Sequence, residues 1–159
     1  MIFVTVGTHQ QPFNRLLEAV DALALDEECI FQTGHCTYMP RGQAMPFMPF
    51  EEMQQHMSAA RVVICHAGTG TVVSALRAGK CPVVAPRLVR FGEHVDDHQL
   101  ELVQSFAGLI VPYMPGDDLA ACITEAGRKT GQRQIGPAPA LIEHLHQAIL
   151  DSARKRISR

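Results

Sequence analysis

The sequence predicts an α/β fold in which a parallel β-sheet is covered by helices on both faces. Three short runs, 2–6, 62–65 and 82–85, are apolar without polar alternation, as is typical of strands buried on both faces. Segments with apolar residues at helical spacing separate these runs along the chain. Strands that alternate with helices favour a parallel sheet, in which ligands bind at the carboxyl ends of the strands.

Length and composition favour one soluble domain, 1–159. The chain has 159 residues, of which 47% are hydrophobic and 19% charged, and its formal net charge is −2. So small a charge excludes a strong electrostatic pull toward nucleic acid or anionic lipid. The odd number of cysteines, without a C-x-x-C pair, predicts free thiols in a reducing cytoplasm: Cys29, Cys36, Cys65, Cys81 and Cys122. We see no apolar run of membrane-spanning length and no signal core.

The first 60 residues contain two predicted strands and two predicted helices. The strand at 2–6 precedes a helix over 12–25, whose first turn accommodates a proline because proline needs no N–H there. A strand over 29–33 follows, and then a loop over 38–50 with room for one short strand. The segment 51–59 is predicted as the second helix.

The middle of the chain continues this alternation. A helix over 71–78 is closed by Gly79, at the position of a left-handed cap. A helix over 96–107 begins with Asp96 as its N-cap and leads to a strand over 109–111.

The end of the chain carries two more predicted helices. Asp117 caps a helix over 119–128, and 129–139 is a linker rich in Gly, Pro and Gln. The helix over 140–157 has an apolar stripe and a basic end. We expect 140–159 either to close the domain or to dock on a partner chain.

The loop after the strand at 62–65 predicts an anion site. It joins this strand to a helix N-terminus through the sequence His66-Ala67-Gly68-Thr69-Gly70-Thr71. Unpaired backbone N–H groups and the helix dipole attract anions there, and glycines let a phosphate or diphosphate approach the backbone. The alternative is a tight turn whose glycines only let the helix pack on the sheet. Neither the G-x-x-x-x-G-K-[ST] pattern nor the third glycine of a dinucleotide fingerprint is present, which argues against both of those nucleotide-binding classes.

A second loop is dense in polar side chains. Positions 87 to 99 include Arg87, Arg90, Glu93, His94, Asp96, Asp97, His98 and Gln99. Planar donors and acceptors recognise sugar hydroxyls in pairs, whereas the alternative is a solvated start of a helix. His94 and His98 also have the spacing of two zinc ligands on a helix. The H-E-x-x-H order is absent and the sequence places no third ligand, so we expect no metal.

Together these motifs resemble those of a glycosyltransferase family. The loop at 66–71, the segment 78–82 and the triplet Asp97-His98-Gln99 are similar to the C-terminal, donor-binding half of family-28 glycosyltransferases with the GT-B fold. The segments 4–13 and 91–99 are similar to the PssE-like and Alg13-like subunits of that family. The resemblance runs from residue 2 to about residue 112 and implies a single Rossmann-like GT-B half-domain.

The resemblance implies a donor-binding role for particular residues. The loops that meet the nucleotide diphosphate would contribute Gly7, Thr8, His66, Gly68, Thr69, Gly70 and Thr71. Ser74 stands where the family has a glutamate that binds the ribose, and the segment 47–50 matches the loop that meets the uracil. The donor sugar would contact Asp97, His98 and Gln99. Arg87 or Arg90 would offset the charge of the diphosphate.

The resemblance also implies a reaction and a partner. We expect the UDP-sugar-binding, catalytic subunit of a split inverting glycosyltransferase, which transfers a sugar to a lipid-linked saccharide in exopolysaccharide synthesis. The donor is a substrate, and no cofactor is expected. His9, Glu93 and His98 are candidates for the base, unless a partner supplies it.

Because the chain has the length of one half-domain, the acceptor-binding half would be a membrane-anchored PssD-like or Alg14-like subunit. That subunit would recruit this chain to the inner face of the cytoplasmic membrane. The alternatives are a non-catalytic regulatory module that binds nucleotide sugars and an enzyme similar to sugar-nucleotide epimerases.

Overall fold

The computed structural model describes residues 1–132, in which six strands form one sheet. The strands are β1 (Ile2–Thr5), β2 (Cys29–Gln32), β3 (Gln43–Met45), β4 (Val62–His66), β5 (Val83–Ala85) and β6 (Val111–Pro112). Their order across the sheet is β3-β2-β1-β4-β5-β6, and every pair of neighbours is parallel. The predicted Rossmann-like parallel sheet is therefore confirmed.

Five α-helices connect the strands in the described part of the chain. They are α1 (Asn14–Ala22), α2 (Phe50–Ala59), α3 (Thr69–Arg77), α4 (His98–Ser105) and α5 (Leu119–Gln132). A short 3₁₀ turn, Val89–Phe91, lies between β5 and α4. The helices lie on both faces of the sheet, as the unbroken apolar strands predict.

Successive residues of each strand face opposite sides of the sheet, which gives the domain two cores. The core against α1 and α5 includes Ile2, Val4, Leu16, Val20, Ile64, Leu119 and Ile123. The core against α2, α3 and the end of α4 includes Phe3, Met57, Val63, Val72, Leu76 and Phe106. The five cysteines carry free thiols, of which Cys65 and Cys81 are buried in these cores.

The strand order reverses between β1 and β4, and this reversal positions the functional loops. Thr5 pairs with Cys65, and His66 pairs with Ala85, so β1, β4 and β5 end side by side. In an open parallel sheet the crevice at such a switch point is where ligands bind.

Several predicted helices have different bounds in the structure, among them the helix predicted over 96–107, which spans His98–Ser105. The helix predicted over 12–25 spans only Asn14–Ala22, and Ala24 beyond it has a positive φ of 44°. The helix predicted over 71–78 begins earlier, at Thr69, so the glycine loop contributes the first turn of α3 itself. Gly79 follows this helix with φ of 75°, which agrees with the predicted left-handed cap.

Two predicted helix caps are wrong by one residue. Asp97, not Asp96, precedes α4, although Asp96 Oδ1 accepts a hydrogen bond of 3.2 Å from the backbone N–H of His98. At α5 the capping oxygen belongs to Asp118, which accepts from Ala121 N–H at 3.1 Å. Asp117 instead accepts from Met114 N–H. Adjacent aspartates compete for the cap, and the turn before the helix selects between them.

The predictions for the end of the chain can be compared with the structure only up to residue 132. α5 extends to Gln132, so the first residues of the predicted linker 129–139 are helical. The rest of that linker and the predicted helix 140–157 lie outside the described residues. Within residues 1–132, each helix is too short or too polar to cross a lipid bilayer.

Candidate functional site

Three loops meet above the carboxyl edge of the sheet. We call them the β1 loop (residues 6–13), the β4 loop (66–69) and the β5 loop (86–97). They contain or adjoin nearly all of the site residues that the sequence predicts. Their arrangement follows from the parallel pairing of β1, β4 and β5.

The imidazole of His66 lies between the β1 and β4 loops. A Cβ added to Gly7 would lie 2.7 Å from His66 Nε2, and one added to Gly68 would lie 2.9 Å from His66 Cδ2. Gly7 also has φ of 75°, which favours glycine. These two predicted site glycines therefore leave room for a side chain of the protein itself.

Burial keeps the His66 ring neutral at physiological pH. Loss of solvent, together with the positive charge of Arg87, lowers the pKa of His66 to about 4. Nδ1 of His66 makes no hydrogen bond to the described residues. The backbone of Thr5 lies near the ring and raises the pKa of His66 slightly, against the effect of burial. The neutral ring of His66 thus lies beneath the backbone of Gly7 and Gly68.

Gly70 differs from Gly7 and Gly68 because open space surrounds it. A Cβ added to Gly70 would meet no atom within 4 Å. Gly70 is the second residue of α3, and no side chain caps this helix at its N-terminus. The first N–H groups of a helix lack partners within the helix, so this end of α3 offers donors and positive potential to an anion. Thr69 and Thr71 flank it and are half-buried.

Gln32 hydrogen-bonds to the backbone N–H and carbonyl of Gly7. This role was not predicted from the sequence. Gln32 Oε1 accepts hydrogen bonds from Gly7 N–H at 3.1 Å and from Thr5 Oγ1 at 2.6 Å. Its Nε2 donates to the carbonyls of Gly7 at 3.0 Å and Pro46 at 2.7 Å. A buried glutamine inside a strand is the only sequence signal for this role, because unpaired buried amides are rare.

Arg87 lies beneath the β1 and β5 loops and is fully buried. Its Nη1 donates to the carbonyls of Gln11 at 2.6 Å and Glu93 at 3.0 Å, and its Nη2 donates to the carbonyl of Val6 at 2.9 Å. The ring of Phe13 lies 4.9 Å from the guanidinium carbon. Burial lowers the pKa of Arg87. The structure thus places this side chain on backbone carbonyls.

Glu93 is also buried, and both of its carboxylate oxygens are occupied. Oε1 accepts from Arg15 Nε at 2.9 Å, and Oε2 accepts from Arg15 Nη2 and from Leu88 N–H, both at 3.0 Å. Arg15 lies on α1 and carries no local sign of this role. Its pairing with Glu93 anchors the β5 loop to the rest of the domain.

Gln99 and Asp97 shape the backbone of the β5 loop. Gln99 is buried, and its Oε1 accepts from Arg87 N–H at 3.0 Å. Asp97 Oδ1 accepts from Val89 N–H at 2.9 Å and so holds the 3₁₀ turn. Arg90 in that turn is exposed and packs on the ring of Phe91.

Three histidines form a stack beside these loops, which we call the histidine cluster: His9, His94 and His98. The rings of His9 and His94 stack at 4.5 Å, and those of His94 and His98 meet edge to face at 4.7 Å. His9 Nε2 also hydrogen-bonds to Gln11 Oε1 at 2.7 Å. Two of the three predicted base candidates are therefore close together, whereas the third, Glu93, is engaged with Arg15.

Asp96 joins this cluster and orients His98. Its Oδ1 is hydrogen-bonded to Nδ1 of His98, while its backbone N–H donates to Nδ1 of His94 at 3.3 Å. Burial lowers the pKa of His94, and the other two histidines lower it further. The ligand atoms of His94, Asp96 and His98 lie within 4.8 Å of one another, so Asp96 supplies the third donor that the sequence did not place. Such a set could hold a divalent cation, although here Asp96 already bonds to His98.

The remaining predicted residues are exposed or half-buried. Thr8 is exposed in the β1 loop, and Ser74 is half-buried one turn into α3. In the segment 47–50, Phe47 and Phe50 are 51% and 65% exposed, so each presents an aromatic face to solvent. Phe47 also meets the ring of His35 at 5.2 Å.

The fold and the three loops define a doubly wound α/β half-domain with its ligand crevice over β1 and β4. The sequence profile of the glycosyltransferase family 28 C-terminal domain matches residues 1–134, and the chain belongs to this family. This result confirms the resemblance that the motifs indicate.

Two known proteins show the extent of the similarity. The UDP-N-acetylglucosamine transferase subunit ALG13 of Yarrowia lipolytica is 43% identical over 54 residues, which are 34% of this chain and 26% of that protein. The crystal structure of the glycotransferase of kitacinnamycin superposes with a TM-score of 0.52 at 18% identity, over 96% of this chain and 39% of that one. The chain thus matches about a quarter of the curated relative and well under half of the solved structure.

Proposed function

We propose that the chain is the donor-binding, catalytic subunit of a split glycosyltransferase that uses a UDP-sugar. The observation that carries this proposal is the uncapped N-terminus of α3, which opens into empty space at Gly70 in a chain of family 28. The curated relative is named as a UDP-N-acetylglucosamine transferase subunit, which supports the donor class.

The diphosphate would bind across the β1 and β4 loops. Thr69, Gly70 and Thr71 would offer backbone N–H groups, and the dipole of α3 would stabilise the negative charge that develops on the leaving UDP. Gly7 and Thr8 lie beside them across the switch point. Ser74 would contact one ribose hydroxyl, and the exposed rings of the segment 47–50 would meet the uracil.

For the base we propose His98, oriented by Asp96. The hydrogen bond to Asp96 places the ring proton on Nδ1 and leaves the lone pair on Nε2 for an acceptor hydroxyl. His9 and Glu93 are weaker candidates, because Gln11 binds the Nε2 atom of His9 and Arg15 binds both oxygens of Glu93.

The acceptor would come from a second chain. We propose a membrane-anchored PssD-like or Alg14-like subunit, an inverting transfer to a lipid-linked saccharide, and a place in exopolysaccharide synthesis. Support comes from the name of the curated relative, which is a transferase subunit. We propose that residues 140–159 contribute to docking. A truncated chain that binds UDP-sugar but does not capture the partner supports this role, whereas one that unfolds contradicts it.

The donor site is tested by Gly70→Ala, with Gly131→Ala as a matched control. Both glycines are helical and have open space around them, but Gly131 lies on α5, away from the crevice. Because a helical Cβ points toward the helix N-terminus, the Gly70→Ala methyl group would enter the space for the diphosphate. We expect UDP affinity to fall about tenfold or more in calorimetry, which is about 1.4 kcal/mol, with folding intact. Equal affinities in both variants would contradict the assignment.

Activity separates the proposed function from its alternatives. Purified chain with and without the partner is mixed with UDP-N-acetylglucosamine and a lipid-linked acceptor, and the products are separated by chromatography. Transfer only with the partner supports the proposal. Binding without turnover in either mixture indicates a regulatory module, and conversion of the donor alone indicates an epimerase.

A further inference from the structure

Arg87 connects two loops that the sequence separates widely. Its guanidinium reaches the carbonyls of Val6 and Gln11 at the two sides of the β1 loop, and the carbonyl of Glu93 in the β5 loop. Its own backbone N–H is held by Gln99 in the first turn of α4. One buried side chain thus links both walls of the crevice.

This arrangement leaves a positive charge beneath the crevice. The three acceptors of the Arg87 guanidinium in the described residues are neutral carbonyl oxygens. The nearby carboxylate of Glu93 is bonded to Arg15, so these two cations and one anion carry a net charge of +1. Burying a cation on neutral partners is costly, so the charge of Arg87 is stable there only because these three carbonyls accept its hydrogen bonds.

The β4 loop makes no hydrogen bond to the Arg87 side chain among the described residues. The charge nevertheless reaches this loop through space, since Arg87 contributes to the lowered pKa of His66. The β4 loop and the start of α3 therefore depend on Arg87 only through charge, whereas the β1 and β5 loops depend on it through direct hydrogen bonds.

We propose that Arg87 is a positioning residue that joins the β1 and β5 loops into one unit and thereby couples recognition of the donor sugar to that of the nucleotide. Arg87 itself does not touch the ligand. The ligand in this proposal is the UDP-sugar of the proposed function, on which this part of the inference rests.

The test compares Arg87→Lys and Arg87→Met with the same changes at Arg61. Lysine keeps the charge but lacks the planar fork whose two nitrogens reach the three carbonyls, whereas methionine removes both the charge and the donors. Arg61 pairs with Glu27 at the opposite edge of the sheet and serves as the control. Calorimetry measures the affinities for UDP and for UDP-N-acetylglucosamine.

For Arg87→Lys we expect UDP affinity to change less than about threefold. The affinity for UDP-N-acetylglucosamine, relative to UDP, should fall about tenfold. Arg87→Met should lose affinity for both ligands, because the charge is also gone. The Arg61 variants should retain the ratio of the wild-type chain. A ratio that is unchanged in Arg87→Lys overturns the proposal, since a purely structural defect would weaken both ligands equally.

Phe13→Leu provides a second variant in case the Arg87 variants do not fold. It removes the ring beside the guanidinium without changing any charge or any residue that Arg87 hydrogen-bonds. We expect the affinity ratio to fall about threefold, and an unchanged ratio counts against the proposal.

Hydrogen exchange without ligand separates this inference from the proposed function. In Arg87→Lys the backbone amides of residues 7–11 and 88–97 should lose protection together, while those of 69–72 keep theirs. Loss in one loop alone overturns the coupling. If the wild-type chain binds no UDP-sugar, the proposed function fails, and exchange still decides whether Arg87 joins the two loops.

Discussion

The β4 loop and the β5 loop lie side by side but are built in different ways. At the β4 loop the site consists of backbone, since its donors are N–H groups of α3 and its open space lies at Gly70. At the β5 loop, side chains determine the backbone, with Arg87, Glu93 and Gln99 all buried and hydrogen-bonded. Substitutions at Gly70 should therefore affect ligand binding alone, whereas substitutions of the buried side chains in the β5 loop should affect folding as well.

The largest effect is expected for Gly7→Val in the β1 loop, where the glycine packs against His66 at the end of β4. The side chain would overlap the His66 ring and would be strained at φ of 75°. We expect the free energy of unfolding to fall by about 3–5 kcal/mol, measured by urea denaturation. Gly68→Val should also destabilise the protein, because its Cβ meets the same ring. Gly70→Val should fold normally, and comparable destabilisation there would contradict the contrast between the glycines.

Glu93→Gln tests whether the buried side chains of the β5 loop stabilise the fold. The change leaves the Arg15 guanidinium without its anionic partner in a largely buried position. We expect a loss of about 2–3 kcal/mol in the free energy of unfolding, reduced from that of a fully buried pair because Arg15 is 22% exposed. Glu18→Gln on the exposed face of α1 is the control. Lost transferase activity at an unchanged melting temperature would instead indicate that Glu93 is the base.

The pH dependence of stability tests whether His66, between the β1 and β4 loops, is buried in its neutral form. The pKa of His66 is about 4 in the folded protein and has its ordinary value near 6.5 in the unfolded chain. Between these pH values the unfolded chain binds a proton that the folded protein does not, so stability falls as pH drops from about 6.5 to 4. We expect this contribution to be about 2 kcal/mol, since His66 keeps some solvent exposure. Urea unfolding of His66→Gln should lack this part of the decline, and an identical pH profile would contradict it.

The smallest effect is expected for chelation. Because Asp96 is already hydrogen-bonded to His98, we expect transferase activity to persist after prolonged treatment with EDTA. The measurement compares initial rates before and after dialysis. Inactivation that zinc reverses, and that His94→Ala abolishes, would establish the three-ligand site instead.

The sequence by itself determined the parallel α/β fold, and it predicts an anion site at the start of α3. Apolar strands, helical periodicity and the glycines around the start of α3 are local patterns. Each determines the structure of the same few residues that form the pattern. The left-handed cap at Gly79 and the family could be predicted for the same reason, because both depend on short local motifs. The bounds of α3 and the caps of α4 and α5 were wrong by one or two residues, because neighbouring polar residues compete at helix ends.

Only the tertiary structure decided which polar residues are buried and what they bind. Glu93 pairs with Arg15 across 78 positions of sequence, and Arg87 reaches Val6 across 81. A polar loop looks the same in sequence whether its side chains face solvent or support the backbone from below. The difference arises from contacts between distant segments, because a buried charge is stable only where folding brings it hydrogen-bond partners.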